Sequence, residues 1–318
     1  MENTSLETTP SNLTGGTYLR IGVAIWMMGA VAICHAAAET LDPGAVPHLN
    51  ERGRTAFQAF AAAEKHRAFA IAPGGAWGWQ GGEPSEGAAN DAALEACQAQ
   101  SEQRCVLYAS DSSVKFKAAE WPTLWRPFLS KAEAERANTG IRRGERFHDL
   151  VFATPAGKSR KLSDLRGKVV LLHFWGSWCP SCRRELPELS RLQAELAARK
   201  DVELVLLQVR ESAATARQWL VSQKLALPTY DALGDDPEQE SLQLPNGTSI
   251  GDRQLAKVFP TTFVLDKRGI VVFSHTGPVE NWLQYLPFIA DAAASGGKGG
   301  GKGGGKSGGK SGGESGGK

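Results

Sequence analysis

Phe174-Trp175-Gly176-Ser177-Trp178-Cys179-Pro180-Ser181-Cys182 sets two cysteines, two residues apart, where an apolar strand hands over to a helix. Upstream, Val169 to Trp175 is a nearly continuous apolar run, the pattern of a buried strand, and Arg183 to Arg199 carries Leu186, Leu189, Leu192 and Leu196 at helical spacing. Cys179 then falls at the helix N-terminus. Free backbone N–H groups and the helix dipole favour negative charge there, so its thiol pKa should fall and the thiolate should be populated near neutrality. Cys182, nearly a turn further on, is placed to resolve a mixed disulfide by attacking Cys179. A zinc half-site is the alternative use of such a pair, but no second Cys or His cluster with ligand spacing accompanies it.

The chain has 318 residues, enough for one large or two small domains, and its formal charge of +2 says little about partners. Residues 1–38 read as a signal peptide or N-terminal anchor, because the apolar run Ile21 to Ile33 follows Arg20 and precedes Ala36-Ala37-Ala38. Either reading puts the remainder outside the cytoplasm. Beyond Cys34 four cysteines remain, Cys97 and Cys105 as one local pair and Cys179 and Cys182 as the other, and an even count in an exported chain agrees with disulfide chemistry. Residues 293–318 are almost entirely Gly, Lys and Ser, with too little to bury to offset the entropy of ordering. This tail is expected to be disordered. Its lysines offer at most weak contact with anionic surfaces, and no interleaved aromatics suggest nucleic-acid binding.

Residues 39–117 suggest a small Ala- and Trp-rich α+β domain. Thr55 to Ala70 reads as helix, Ala76 to Gly82 as an aromatic, glycine-rich turn stretch, and Glu86 to Gln98 as a second helix. Arg104 to Ala109 and Ser113 to Lys117 read as short strands around Asp111-Ser112. A structural Cys97–Cys105 disulfide would staple the second helix to the first of these strands. Trp77, Trp79, Trp121 and Trp125 either line a recognition surface or, the more ordinary role, pack in a core. Residues 118–143 form a helical connector, interrupted by Pro122 and Pro127.

Residues 144–292 carry strands separated by helical patterns. Phe147 to Phe152, Val169 to Trp175, Asp201 to Arg210, Thr262 to Leu265 and Ile270 to Ser274 are the strands, and Thr215 to Gln223 is helical. That alternation argues for an α/β fold with a mixed sheet covered on both faces.

Several motifs in order resemble the TlpA/ResA-like family of thioredoxin-fold proteins. They are Gly144-Glu145-Arg146-Phe147-His148-Asp149-Leu150, Leu162-Ser163-Asp164-Leu165-Arg166-Gly167-Lys168, Trp178-Cys179-Pro180-Ser181-Cys182 followed by Arg183-Arg184-Glu185-Leu186-Pro187, and Val258-Phe259-Pro260-Thr261-Thr262 running on to Gly269. The resemblance implies a thioredoxin-like fold preceded by a small α+β region, and an exported bacterial thiol–disulfide oxidoreductase in the periplasm or on the outer face of the cytoplasmic membrane. Cytochrome c maturation is among that family's processes. It implies Cys179 and Cys182 as the redox dithiol beside Trp178, Pro260 as a cis-proline facing them, and a client-binding surface from Phe259, Pro180 and Trp175. His173 departs from the buried aspartate of cytoplasmic thioredoxins: it either manages a proton beneath the dithiol or is a neutral core histidine. Glu185 is the other candidate for proton management, with a plain helix-surface role the more ordinary expectation. No metal or cofactor is implied. The partners implied are disulfide-containing clients and a membrane-bound or exported thiol protein that donates electrons. Dedicated oxidants usually insert a helical domain between the dithiol and the cis-proline, whereas Gln223 to Lys257 is turn-rich and polar. The rival functions are an oxidising disulfide donor, a cell-envelope scaffold that retains the fold, and a peroxiredoxin-type peroxidase.

Overall fold

The structure is a computed structural model that describes residues 41–232 and 240–295, and every count or absence below refers to these residues. The expected signal or anchor lies outside them, as does nearly all of the Gly/Lys/Ser tail. Helix α1, Glu51–Ala62, starts where the Asn50 side chain accepts from Gly53 N at 3.0 Å. It was expected to run to Ala70, but the chain turns at His66 (φ +57°) and Ala68–Ile71 forms strand β1 instead. Strand pairing overrides helix propensity here. The glycine-rich aromatic stretch is likewise not a turn but strand β2, Trp77–Gln80, antiparallel to β1. After helix α2, Glu86–Gln98, strands β3, Val106–Ser110, and β4, Ser113–Val114, complete a sheet in the order β2-β1-β3-β4.

Residue size alternates along β1. Phe69 and Ile71 point into the main core, while Ala68 and Ala70 meet Ala89, Ala93 and Cys97 of α2. Small side chains on both surfaces let the helix approach closely. At Gly78 the approach excludes any side chain, since a Cβ there would lie 2.3 Å from the backbone nitrogen of Cys97. The Cys97–Cys105 disulfide closes the end of α2 onto the segment leading into β3.

The connector is mostly irregular rather than helical. Trp121–Thr123 is a single 3₁₀ turn, the Arg126–Pro127 peptide is cis, and only Lys131–Arg136 forms helix α3, capped reciprocally by Ser130 and Glu133. Prolines without an N–H to donate account for the interruption.

The second part contains β5, Val151–Ala153; β6, Ser159–Lys161; β7, Val169–Trp175; helix α4, Pro180–Leu196; β8, Val202–Gln208; helix α5, Ala213–Ser222; and β9, Thr229–Asp231. A hairpin of β10, Ser241–Gln243, and β11, Ser249–Gly251, leads into the short helix α6, Asp252–Leu255. Then come β12, Thr261–Leu265; β13, Val271–Thr276; and helix α7, Leu286–Ala294. The expected strand Phe147 to Phe152 is confined to its end, at β5. The seven-stranded sheet runs β13-β12-β7-β8-β9-β5-β6. Strands β7, β8 and β9 are parallel, and β12, β13, β5 and β6 join antiparallel. It is a mixed α/β sheet of thioredoxin type with helices on both faces.

Residues 41–136 are not a separate bead. Trp125 stacks on Phe273 of β13 and meets Phe288 of α7 at a tilt, with both centroids 4.9 Å away, and one continuous hydrophobic cluster includes Phe57, Phe69, Tyr108, Trp121, Trp125, Phe273 and Phe288. Trp121 and Trp125 are buried, and Trp77 and Trp79 are half-buried. Packing is therefore what most of this indole surface does. His48 ties the same region to the end of the chain: its N–H donates to Gln284 Oε1 at 2.8 Å, its Nδ1 accepts from Gly74 N at 3.1 Å, and its ring lies 4.1 Å from Tyr285. Burial pushes the His48 pKa down to about 4, so this imidazole is neutral. The outer edge of β13 is also occupied. Gly144 N donates to Val271 O and Val271 N to Glu145 O, both at 2.9 Å, and Gln103 Nε2 donates to Val272 O at 3.4 Å.

Candidate active site

Strand β7 delivers Cys179 to the carboxyl end of the parallel strands. Cys179 is the N-cap of α4 with extended backbone, and its sulfur accepts from Cys182 N at 3.2 Å. Pro180 follows at N1, where its missing N–H costs nothing. The two cysteines form a disulfide; Cys182 is fully buried and Cys179 nearly so.

Facing them is the start of β12. The Phe259–Pro260 peptide is cis, and Phe259 O lies 3.6 Å from Cys179 Sγ and accepts from Ser181 Oγ at 3.1 Å. The Phe259 ring is held on several sides. Trp178 meets it edge-on at 5.4 Å, and the guanidiniums of Arg253 and Arg210 lie over it at 4.9 and 5.6 Å. Arg210 is itself fixed by a two-pronged pair with buried Asp252, at 2.6 and 2.8 Å. Around the sulfurs the exposed apolar groups are Trp178 (41% exposed) and Val258 (51%), with Pro180 exposed beside them. Trp178 keeps its pose through a bond from Nε1 to Val209 O at 2.9 Å, and Ser177 is clasped by Glu211, whose Oε1 accepts from Ser177 N at 2.6 Å.

Beneath the dithiol lies a buried polar line. His173 Nδ1 is 2.7 Å from Thr262 Oγ1, its cross-strand partner on β12. Its Nε2 is 3.9 Å from Glu185 Oε2. Glu185 Oε1 accepts from Val279 N at 3.1 Å and Trp282 Nε1 at 2.7 Å. Glu185 is thus not on the helix surface, as its charge had suggested. It is buried on the side of α4 that faces the sheet, and desolvation raises its pKa to about 7, working against the two N–H donors. Burial pushes His173 the other way, to about 3, so the imidazole is neutral and bonded to a side chain rather than to backbone.

Of the residues singled out in the sequence, Cys179, Cys182, Pro180, Trp178, Phe259 and Pro260 come together at one site, with Trp178 and Pro180 exposed and His173 and Glu185 beneath it. Trp175 does not join them. It is fully buried beside Trp219, with centroids 6.4 Å apart, so as a residue that meets clients it is corrected to a core residue. Arg210, Arg253, Asp252 and Glu211 carry no motif and were not foreseen as site residues; Thr262 lies inside the cis-proline motif but was not singled out. No group of three or more His, Cys, Asp or Glu side chains suited to a metal occurs among the described residues.

A family model described as AhpC/TSA matches residues 144–274. The thiol–disulfide oxidoreductase ResA of Geobacillus thermodenitrificans is 30% identical over 153 residues, which cover 48% of this chain and 80% of that protein. This chain belongs to the ResA/DsbE/TlpA-like family of exported thiol–disulfide oxidoreductases. The thiol:disulfide interchange protein DsbE of Xylella fastidiosa, a further family member, is 34% identical over 132 residues, 41% of this chain and 59% of its own. The solved structure of StoA from Bacillus subtilis aligns over 44% of this chain and 95% of that one, at 21% identity and a TM-score of 0.33. Like the rest of the ResA-like family, the chain is an enzyme of thiol–disulfide exchange, exported or membrane-associated and facing the periplasm.

Proposed function

We propose that this ResA-like enzyme reduces disulfides of exported client proteins through Cys179 and Cys182. The observation that carries the reading is the Cys179–Cys182 disulfide at the N-terminus of α4, with Phe259 O 3.6 Å from Cys179 Sγ and exposed Trp178 and Val258 beside it. In the reduced enzyme the Cys179 thiolate attacks one sulfur of a client disulfide, the client S–S bond breaks, and its other sulfur leaves as a thiolate. Cys182 then gives its proton to the Glu185 carboxylate and attacks Cys179, closing the internal disulfide and releasing the second client sulfur. Two electrons and, after the client thiolates pick up protons, two protons have passed to the client. An exported or membrane-bound dithiol protein restores the reduced state.

Direction rests on two supports. Family membership leans to reduction, in processes such as cytochrome c maturation, and the described residues between α4 and Pro260 hold only α5, three short strands and the four-residue α6 beside β8, with no helical domain of the kind dedicated oxidants insert. Client contact is assigned to Trp178, Pro180, Val258 and the backbone of Phe259, where an extended polypeptide can lie against the cis-proline loop.

The test is the reduction potential of the Cys179/Cys182 pair, together with trapping of partners by Cys182→Ala in the exported compartment. A potential below about −200 mV and clients captured through Cys179 are expected. A value near about −120 mV would reverse the direction, and no reversible couple with no captured client would leave a scaffold.

A further inference from the structure

Two buried polar atoms of the site have no hydrogen-bond partner, His173 Nε2 and Glu185 Oε2, and they face each other at 3.9 Å. An unpaired polar group out of water costs about 1–3 kcal/mol. The gap is only about 1 Å too long for a direct bond. A small rotation of the Glu185 carboxyl closes it. The far ends of both groups are tied down: Nδ1 by Thr262 Oγ1, and Oε1 by Val279 N and Trp282 Nε1. Thr262 lies two residues beyond Pro260 and Glu185 three beyond Cys182, so this line joins the cis-proline strand to the dithiol helix.

We propose that His173 is a positioning residue for the exchange reaction: its Nδ1–H donates to Thr262, which leaves Nε2 unprotonated to accept the proton-bearing Oε2 of Glu185. The proposal rests on Glu185 taking the proton of Cys182. In that step the Cys182 S–H bond breaks, the O–H bond forms on Glu185, and no proton passes to the imidazole. The division of labour follows from burial, which makes a charged imidazole far costlier here than a protonated carboxyl. Other titratable groups against Glu185 are Cys182 on its own helix, across the S–S bond from Cys179, and Tyr285, whose hydroxyl is held neutral by burial and by Glu185. By accepting from the protonated form only, His173 raises the pH at which Glu185 gives its proton up.

The experiment uses the full chain in its oxidised and reduced states, with ¹⁵N NMR of the imidazole nitrogens and ¹³C NMR of the glutamate carboxyls. His173→Asn and Glu185→Gln serve to assign the signals. A protonated Nδ1 and a bare Nε2 are expected for His173 across the Glu185 titration. Thr262→Val, close in shape, removes the acceptor of Nδ1–H; the imidazole should then carry its proton on Nε2, donate to the carboxylate, and move the Glu185 midpoint down by about one pH unit. A His173 that holds its proton on Nε2 in the wild type, or a Glu185 midpoint unmoved by Thr262→Val, overturns the proposal. Loss of dithiol exchange with these signals intact would instead count against the proposed function.

Discussion

Glu185 and His173 pull stability in opposite directions with pH. A carboxyl raised from 4.5 to about 7 stabilises the fold fully below about pH 4.5, and that contribution is lost as pH rises through about 7. At this buried site it amounts to something on the order of 3 kcal/mol. His173 and His48, depressed to about 3 and about 4, act the other way: their contribution is present above about pH 6.5 and lost as pH falls through those values. Denaturant melts across pH should therefore show greatest stability near about pH 6.5, between the two limbs. Glu185→Gln should flatten the alkaline fall and leave the acid limb in place. It should also slow disulfide exchange by about a hundred-fold or more, the ordinary size of a lost proton-transfer group; an unchanged rate would remove Glu185 from the chemistry. Glu185 was legible in the sequence, though by a different sign from the one charge suggests. Cys182, Glu185, Leu186, Leu189, Leu192 and Leu196 fall on one helical stripe, and all of them are buried. Arg210 had no such signal, and Thr262 stood in the cis-proline motif without its bond to His173 being legible, since each acts through a partner distant in sequence.

At the scale of elements, α4 and β7 could be read from the sequence, β7 to its end residues and α4 with both ends three residues late, because each has a one-sided or unbroken apolar pattern that a single packing arrangement satisfies. β1 and β2 could not. Ala68–Ile71 extends an Ala-rich run of good helix formers, and only its neighbours β2 and β3 make it a strand. Gly78 is a further case of meaning supplied from outside the element, since the backbone of α2 occupies the space of its missing side chain. Gly78→Ala should force α2 away from the sheet and cost about 1–3 kcal/mol in chemical denaturation. Removing both Cys97 and Cys105 should cost about 2–3 kcal/mol by releasing the short loop they close. In the latter variant the reduction potential of the distant Cys179/Cys182 pair should be unchanged.

For the whole molecule, the burial of Trp125 between Phe273 and Phe288 means that the first hundred residues described help to complete the core of the redox fold. Trp125→Ala should lower stability by about 3–5 kcal/mol, and calorimetry should show one transition shifted as a unit rather than a second one appearing. The start of the family motifs near residue 144 is plain in the sequence; the core shared across that point is not, because contacts between Trp125, Phe273 and Phe288 leave no local pattern.

The covered flank of β13 matters most for the company such an enzyme keeps. A bare edge strand is a template on which another chain's backbone can pair and stay. Here one flank is occupied by Gly144, Glu145 and Gln103, and the other ends in β6, three residues that include Arg160 and Lys161. A further strand therefore cannot add at Val271 or Val272, and under the proposed function the mixed disulfide is a tether that exchange itself releases.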